Sequence, residues 1–180
     1  MELTRVDVTK SKAAARTVRS LYEEAFPKSE RLPWWMLFHN ARRRGIDLEA
    51  WLEDDRPVAM TSSVTTDKLH FLLFFAIAPA LRGQGYGSRI LQQLQKEHST
   101  VILNVEPLEP DAPNLEQRKR RFAFYGRNGL QDTGWFVWEV GGRFRVLSTD
   151  PRLDVTAYRE VFQKLTFGIW KVRLEKERKS

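Results

Sequence analysis

One segment of this sequence combines a buried strand, a glycine-rich turn and a helix. Residues 71–77 read Phe-Leu-Leu-Phe-Phe-Ala-Ile, an apolar run that predicts a central strand buried on both faces. Residues 82–88 then read Arg-Gly-Gln-Gly-Tyr-Gly-Ser, and apolar periodicity predicts a helix from there to about His98. Glycines let the backbone approach a ligand closely, and the first amides of a helix point at it. The segment therefore predicts an anion site, with phosphate as the natural occupant.

Two common phosphate-binding motifs do not fit this turn. The Walker motif needs a Gly-Lys-Ser/Thr ending, and the dinucleotide fingerprint needs Gly-x-Gly-x-x-Gly, whereas this chain has Gly83-x-Gly85-x-Gly87. A glycine-rich turn that binds nothing is the alternative. Three glycines and an arginine within six residues are more than a turn alone requires, so we favour a phosphate site.

The rest of the chain alternates between helical and strand patterns. Ser11 is placed to cap the first helix, Pro27 to end it, and Asp154 to cap the last one. The expected helices span about 12–25, 34–44, 86–98, 114–127 and 154–165, and the expected strands span about 1–8, 46–53, 57–66, 69–78 and 101–106, followed by two strands that meet at Gly141-Gly142. This order predicts an α/β fold with a mixed, mostly antiparallel sheet that contains one βαβ crossover.

Length and composition favour one domain. The chain has 180 residues and is 42% hydrophobic, which suits a single domain with a core at about 1–148 and a C-terminal helix and basic tail at 149–180. No leader-like apolar region and no run of about 20 apolar residues is found in the sequence. We therefore expect a soluble, cytoplasmic protein that does not act in a membrane.

Charge and cysteine content narrow the chemistry. The net charge of +7 is concentrated in Arg42–Arg44, in Arg118–Arg121 and in the tail at 171–179, and we interpret the tail as a solvated end. Nucleic acid is an unlikely partner, since phosphates of a small ligand account for basic clusters beside an anion loop. The chain has no cysteine and three scattered histidines, which excludes a cysteine nucleophile and argues against a metal site.

Two motifs together resemble a known superfamily. Arg82-x-x-Gly85-x-Gly87 after a strand is similar to the acetyl-CoA pyrophosphate loop of the GNAT superfamily of N-acetyltransferases, and Phe124-Tyr125-x-x-x-Gly129-Leu130 resembles the second signature of that superfamily. The order of predicted elements also resembles the GNAT fold, and the likeness extends to about Leu147. It points to a poorly characterised bacterial branch and identifies no substrate.

The resemblance implies a set of cofactor contacts. Backbone groups of the central strand would bind the pantetheine arm of acetyl-CoA, and the glycine-rich turn would wrap its pyrophosphate. The residues concerned are Phe75, Ala76 and Ile77 for the arm, and Arg82, Gly83, Gln84, Gly85, Tyr86, Gly87 and Ser88 for the pyrophosphate. Arg118 and Arg121 depart from the family pattern. They should lean toward the cofactor face of their helix, with CoA phosphate or Glu106 as the anionic partner, or else be solvated charges.

The same resemblance suggests catalytic residues. Tyr125 matches a tyrosine that lies near the cofactor sulfur and can protonate the departing thiolate, although it could equally pack in the core. Glu106, at the end of the strand after the crossover, is a candidate for taking the proton of the amine, or an exposed residue paired with an arginine. Glu30 lies in the segment that lines the acceptor side in family members and is a candidate for substrate binding.

These residues predict an acetyl-CoA-dependent N-acetyltransferase. The acetyl group would pass to a primary amine of a small molecule or peptide by direct attack in a ternary complex. The alternative is a CoA-binding sensor or partner module without catalysis. The sequence leaves open whether two copies form a homodimer, and it does not reveal the amine acceptor.

Overall fold

The computed structural model describes residues 3–139, 142–168 and 172–177. By its internal contacts the chain forms two compact units, which are described separately. The first unit comprises Met1–Thr65 and Leu72–Leu94, and the second comprises Thr66–Phe71 and Gln95–Ser180. The expectation of a single domain over 1–180 stays a prediction.

The first unit is a sheet with helices packed against it. Its elements are β1 (Thr4–Asp7), α1 (Lys12–Ala25), α2 (Trp34–Asn40), β2 (Ile46–Glu53), β3 (Arg56–Thr65), most of β4 (His70–Ile77) and most of α3 (Tyr86–Glu97). The strand order is β1-β2-β3-β4, and β2 is antiparallel to both β1 and β3. As predicted, Ser11 caps α1, its hydroxyl accepting a hydrogen bond from the amide of Ala14 at 3.2 Å.

The second unit continues from the start of β4. Its further elements are β5 (Val101–Val105), α4 (Leu115–Arg127), β6 (Gln131–Glu139), β7 (Gly142–Ser148), α5 (Val155–Leu165) and β8 (Arg173–Lys176). The strand order is β4-β5-β7-β6-β8, in which β4 and β5 are parallel and the other pairs are antiparallel. The parallel pair β4 and β5, joined through α3, confirms the predicted crossover, and the mixed, mostly antiparallel strands confirm the predicted fold class.

Each unit has an aromatic core. In the first, the ring of Tyr22 packs edge-on against the ring of Phe74, with centroids 4.9 Å apart. The ring of Phe26 also packs against that of Phe74, with centroids 5.0 Å apart. In the second, Phe71 packs against Tyr158 and Phe162 of α5 at 5.9 and 5.3 Å. Asp154 caps α5 by accepting from the amides of Thr156 and Ala157, as its position in the sequence predicts. Helix α5 is therefore part of the core of its unit.

The second helix is shorter than predicted. Its pattern predicts a helix over 34–44, but α2 ends at Asn40. The amide of Arg42 bonds to the carbonyl of His39 and that of Arg43 to Asn40, so the chain tightens into turns three residues long. Gly45, with φ of +74°, then redirects the chain into β2.

The tail at 173–176 is mostly exposed, as expected for a solvated end, but it also forms a strand. These residues form β8, which pairs with β6 in the register Leu174 opposite Val137. Charged residues beyond the expected core form this strand because β6 offers it backbone partners. Glu177 binds the buried guanidinium of Arg145, whose other partner is Asp132. The predicted turn at Gly141-Gly142 includes residue 141, which lies outside the described residues.

Candidate active site

The glycine-rich turn lies on the surface of the first unit. Its residues 82–85 are exposed, and α3 begins directly after them at Tyr86. Gly83 and Gly85 have φ angles of +78° and +85°, a region that side-chain-bearing residues adopt at a cost. A Cβ at either position would meet no atom within 4 Å. The turn therefore needs glycine for its backbone conformation, and it leaves open space beside the chain.

The start of α3 presents amides to that space. The amide of Arg89 is the first that bonds back within the helix, to the carbonyl of Gly85 at 3.1 Å. The amides of Tyr86, Gly87 and Ser88, the first three residues of the helix, have no helical partner and carry the positive end of the helix dipole. This geometry suits a phosphate group.

Two side chains tie the turn to the chain before it, one to the short 3₁₀ helix Pro79–Leu81 and one to the end of β4. The amide of Gln84 donates to the carbonyl of Ala80 at 3.0 Å, and the Nε of Arg82 donates to the carbonyl of Ile77 at 3.4 Å. Arg82 is exposed, so its guanidinium places a positive charge at the surface. The predicted pantetheine contacts Phe75, Ala76 and Ile77 form the end of β4, immediately before this region.

In the second unit, Glu106 is held by α4. One carboxylate oxygen lies 2.9 Å from an Nη of Arg118 and the other lies 2.9 Å from an Nη of Arg121. The amide of Asn114 donates to both oxygens, at 3.2 and 3.4 Å. Of the partners weighed for these arginines, the structure pairs both with Glu106. The carboxylate thus fixes α4 to the segment that follows β5.

Arg118 and Arg121 differ in how many of their N–H donors are already used. Arg118 also donates to the carbonyl of Pro107 and to the side-chain oxygen of Asn114, each at 2.8 Å, and its side chain is 14% exposed. The side chain of Arg121 is 36% exposed. Arg121 therefore has more donor capacity for a further anion.

Tyr125 lies on α4, one turn after Arg121. Its side chain is buried, and its ring packs against Phe124 with centroids 5.2 Å apart. Burial raises the pKa of its hydroxyl to about 12, with Arg121 acting in the opposite direction. Within residues 3–139, 142–168 and 172–177, its hydroxyl has no hydrogen-bond partner. The phenol is thus protonated at ordinary pH and not committed as a donor to another described residue.

Glu30 lies in a different part of the chain from these residues. It belongs to the turn between α1 and α2 in the first unit, where its amide bonds to the carbonyl of Pro27 at 3.0 Å. The structure therefore groups Glu106, Arg118, Arg121 and Tyr125 in the second unit. Glu30 and the glycine-rich turn belong to the first.

Sequence reasoning missed a partly buried polar cluster in the second unit. The side-chain amide of Asn104 donates to Glu139, and the hydroxyl of Tyr158 lies within 3.0 Å of both polar atoms of that amide. Burial raises the pKa of Glu139 to about 7, with the Asn104 hydrogen bond opposing it. These residues are separated by 35 and 54 positions, so no local pattern could have indicated the cluster.

No group of three or more histidine, cysteine, aspartate or glutamate side chains that could hold a metal ion occurs in the described ranges. No helix in these ranges has the length and apolar character needed to cross a membrane.

Comparison with known proteins identifies the family. The family model described as "Acetyltransferase (GNAT) family" matches residues 15–105, half of the chain. The chain belongs to this GNAT family. The matched region contains Glu30, the end of β4 and the glycine-rich turn, and it stops one residue before Glu106.

Individual relatives agree with this assignment. YjbC of Bacillus subtilis (strain 168), assigned as an acetyltransferase, is 30% identical over 84 residues, covering 47% of this chain and 40% of YjbC. The match thus spans about two fifths of that relative. A GNAT-family structure from Bacteroides thetaiotaomicron has a TM-score of 0.71 at 22% identity, covering 94% of this chain and 100% of the other. An aminoglycoside 6'-N-acetyltransferase complexed with coenzyme A has a TM-score of 0.66 at 15% identity, covering 86% and 100%. The two structures show a shared fold.

We predict that Glu139 makes stability depend on pH. The folded protein keeps the proton of Glu139 up to about pH 7, whereas an ordinary carboxyl loses it near 4.5. The folded state then binds more protons between these values, so the free energy of unfolding falls as pH rises through this window, by on the order of 3 kcal/mol at most. Glu139→Gln should match the wild type at pH 5 and be more stable at pH 8, as measured by urea unfolding. An equal difference at both pH values would show that the charge is not responsible.

Proposed function

We propose that this protein transfers an acetyl group from acetyl-CoA to a primary amine by direct attack in a ternary complex. The observation that carries the proposal is the glycine-rich turn with φ of +78° and +85° leading into the start of α3, within a region that matches an acetyltransferase family. A structure that shares this fold is described as complexed with coenzyme A, which supports CoA as the ligand of the turn.

The residues of the first unit suit the phosphates of CoA. The amides at the start of α3 would bind the pyrophosphate, and the exposed Arg82 would supply an opposing charge. Backbone groups of Phe75, Ala76 and Ile77 would bind the pantetheine arm, as the family resemblance implies. Of the two arginines of α4, Arg121 is the better phosphate contact because its guanidinium is less occupied than that of Arg118.

Bound acetyl-CoA would supply a thioester whose carbonyl carbon is open to attack by a neutral amine. The chain contains no cysteine, so it cannot pass the acetyl group through a cysteine thioester, which supports direct transfer. The nitrogen–carbon bond then forms as the carbon–sulfur bond breaks. The protein must receive a proton from the amine side and provide one on the sulfur side.

Tyr125 is our candidate for the sulfur side. The resemblance to the GNAT family assigns the tyrosine at this position to the neighbourhood of the cofactor sulfur. A hydroxyl with a pKa of about 12 is protonated across the working pH range, and it has no other partner among the described residues. Such a group can donate to a developing thiolate as it forms.

The contacts of Glu106 favour a positioning role over that of a base. Both carboxylate oxygens already accept from guanidinium and amide groups. Accepting the amine's proton would require one of these ion pairs to open. By holding Arg118 and Arg121, Glu106 fixes the rotation of α4 and hence the direction of Tyr125, one turn further along. The identification of Glu106 as the base stays a prediction, which its pH profile can decide.

The acceptor is a small-molecule or peptide amine, with Glu30 as the residue proposed to bind it. A CoA-binding module without catalysis is the second candidate function. The engagement of both Glu106 oxygens favours that candidate, because it leaves this carboxylate no ready place for a proton. A screen of amine acceptors for acetyl-CoA-dependent thiol release, with mass spectrometry of the products, separates the two functions.

Binding of CoA should raise the melting temperature. CoA at a hundred times its Kd should stabilise the folded protein by roughly 3 kcal/mol, because it binds that state selectively, and this is measured as a rise in Tm. Gly85→Val should abolish the rise, since valine at φ of +85° forces the turn to change. Gly134→Val is the matched control, since it places the same strain at φ of +76° in β6 and should leave the CoA-induced rise intact. If Gly85→Val keeps the rise, the turn does not bind CoA.

Tyr125→Phe tests the donor role. The change keeps the packed ring and removes the hydroxyl, so the Tm and the Kd for CoA should hold. Loss of a positioned acid typically costs ~10²–10⁴-fold in rate, and we expect kcat to fall at least roughly ten-fold, least at low pH, where solvent can protonate the thiolate. Full turnover under conditions where chemistry limits the rate would remove Tyr125 from the mechanism.

Glu106→Gln separates positioning from base catalysis. If Glu106 positions α4, kcat should fall by roughly ten-fold or more because reacting groups are misplaced, and by the same factor at every pH. A base would instead give a loss that shrinks as pH rises, since the amine then deprotonates unaided. The pH profiles of kcat for the variant and the wild type decide between these roles.

A further inference from the structure

The β2–β3 hairpin contacts the chain shortly before the glycine-rich turn and again where the turn leads into α3, both within the first unit. At the entrance to the turn, the amide of Ala78 donates to the carbonyl of Val58 at 2.9 Å. At the exit, Glu53, the last residue of β2, accepts from the side chains of Tyr86 and Arg89. The chain segment that forms the turn is therefore anchored at both ends by one hairpin.

The contact at the exit uses both oxygens of one carboxylate. The hydroxyl of Tyr86 donates to Oε2 of Glu53, and Nη1 of Arg89 lies 2.8 Å from Oε1. The guanidinium of Arg89 also lies over the ring of Tyr86, 5.4 Å from its centre. Tyr86 and Arg89 are three residues apart in the first turn of α3. The carboxylate therefore binds the part of the helix that exposes the phosphate-binding amides.

The carboxylate of Glu53 is shielded from solvent, ionised and fixed in position. The side chain of Glu53 is 13% exposed. The hydrogen bond from Tyr86, followed by that from Arg89, lowers the pKa of Glu53, so the group is ionised at neutral pH. The hairpin fixes its backbone, since Glu53 pairs with Arg56 and the turn residues Asp54 and Asp55 both have positive φ. A rigid strand end therefore sets the position of the helix start.

The geometry points to Glu53 as a positioning residue for the phosphate-binding turn. It sets the direction of the amides at the start of α3 through Tyr86 and Arg89, without itself contacting the ligand. This inference rests on the proposed binding of CoA. It predicts that loss of Glu53 weakens recognition of the phosphate part of CoA and spares recognition of the pantetheine part.

Glu53→Ala tests the inference by binding alone, so no acceptor is needed. The probes are CoA by titration calorimetry, and ADP and pantetheine by displacement of CoA. Glu53→Ala should lower the affinity for CoA and for ADP by the same factor of roughly ten, as misplacement of a binding group does. The affinity for pantetheine should stay within about two-fold of the wild-type value. Glu53→Gln keeps one of the two acceptor oxygens, and so one of the two contacts, and should recover part of the loss.

Asp55→Asn is the matched control. It removes one negative charge two residues away, and asparagine tolerates the φ of +63° found there. Within the described parts of the chain Asp55 makes no hydrogen bond or ion pair, so affinity for all three probes should stay within about two-fold. If Asp55→Asn weakens CoA as much as Glu53→Ala does, the effect is one of overall charge and the inference is wrong.

Other outcomes are equally clear. A variant Glu53→Ala that loses affinity for pantetheine and ADP alike would show a general structural role and overturn the inference. If it does not fold, Tyr86→Phe removes one of the two contacts and should show the same selectivity for ADP over pantetheine, and unchanged ADP binding would again overturn it. A wild type that binds no CoA would defeat the proposed function itself. A wild type that binds CoA without transferring acetyl groups leaves this test fully decisive.

Discussion

The left-handed conformation of Gly83 and Gly85 is the constraint on which the candidate site depends. It lets the chain leave β4 and enter α3 without side chains in the way, so that the first amides of the helix reach an open surface. Other contacts within the first unit hold this turn in place. Gln84 and Arg82 tie it to the chain before it, and the β2–β3 hairpin holds its two ends.

The second unit contributes a different kind of arrangement, in which charge sets geometry. Glu106 binds two guanidiniums that lie three residues apart on α4, and such a paired contact specifies how the helix is rotated. The carboxylate of Glu106 and the guanidinium of Arg118 are largely removed from solvent, so separating them would leave costly unpaired charges. The phenol of Tyr125 depends on this arrangement, since it projects from the same helix.

Local patterns predicted much of this structure, and long-range contacts account for what they missed. Ser11 and Asp154 mark the starts of their helices through short-range hydrogen bonds. The two aspartates at 54 and 55 are typical of a hairpin turn. These features therefore depend on neighbouring residues. The end of α2 at Asn40 depends on turn bonds that compete closely with the helix. The strand β8 and the cluster of Asn104, Glu139 and Tyr158 require partners tens of residues away. For the site, the motif indicated the turn, whereas the carboxylate of Glu53 behind it has no signature of its own.

The strand β8 also changes how the sheet of the second unit ends. Without it, β6 would present a row of unpaired backbone groups, flanked by Trp135 and Trp138, to any other extended chain. With it, the outermost strand has four residues and carries Arg173, Glu175 and Lys176. A short, charged strand is a poor template for further pairing, because each added chain would bury charges and gain few hydrogen bonds. On this physical ground, β8 makes the edge less ready to pair with another extended chain than β6 would be alone.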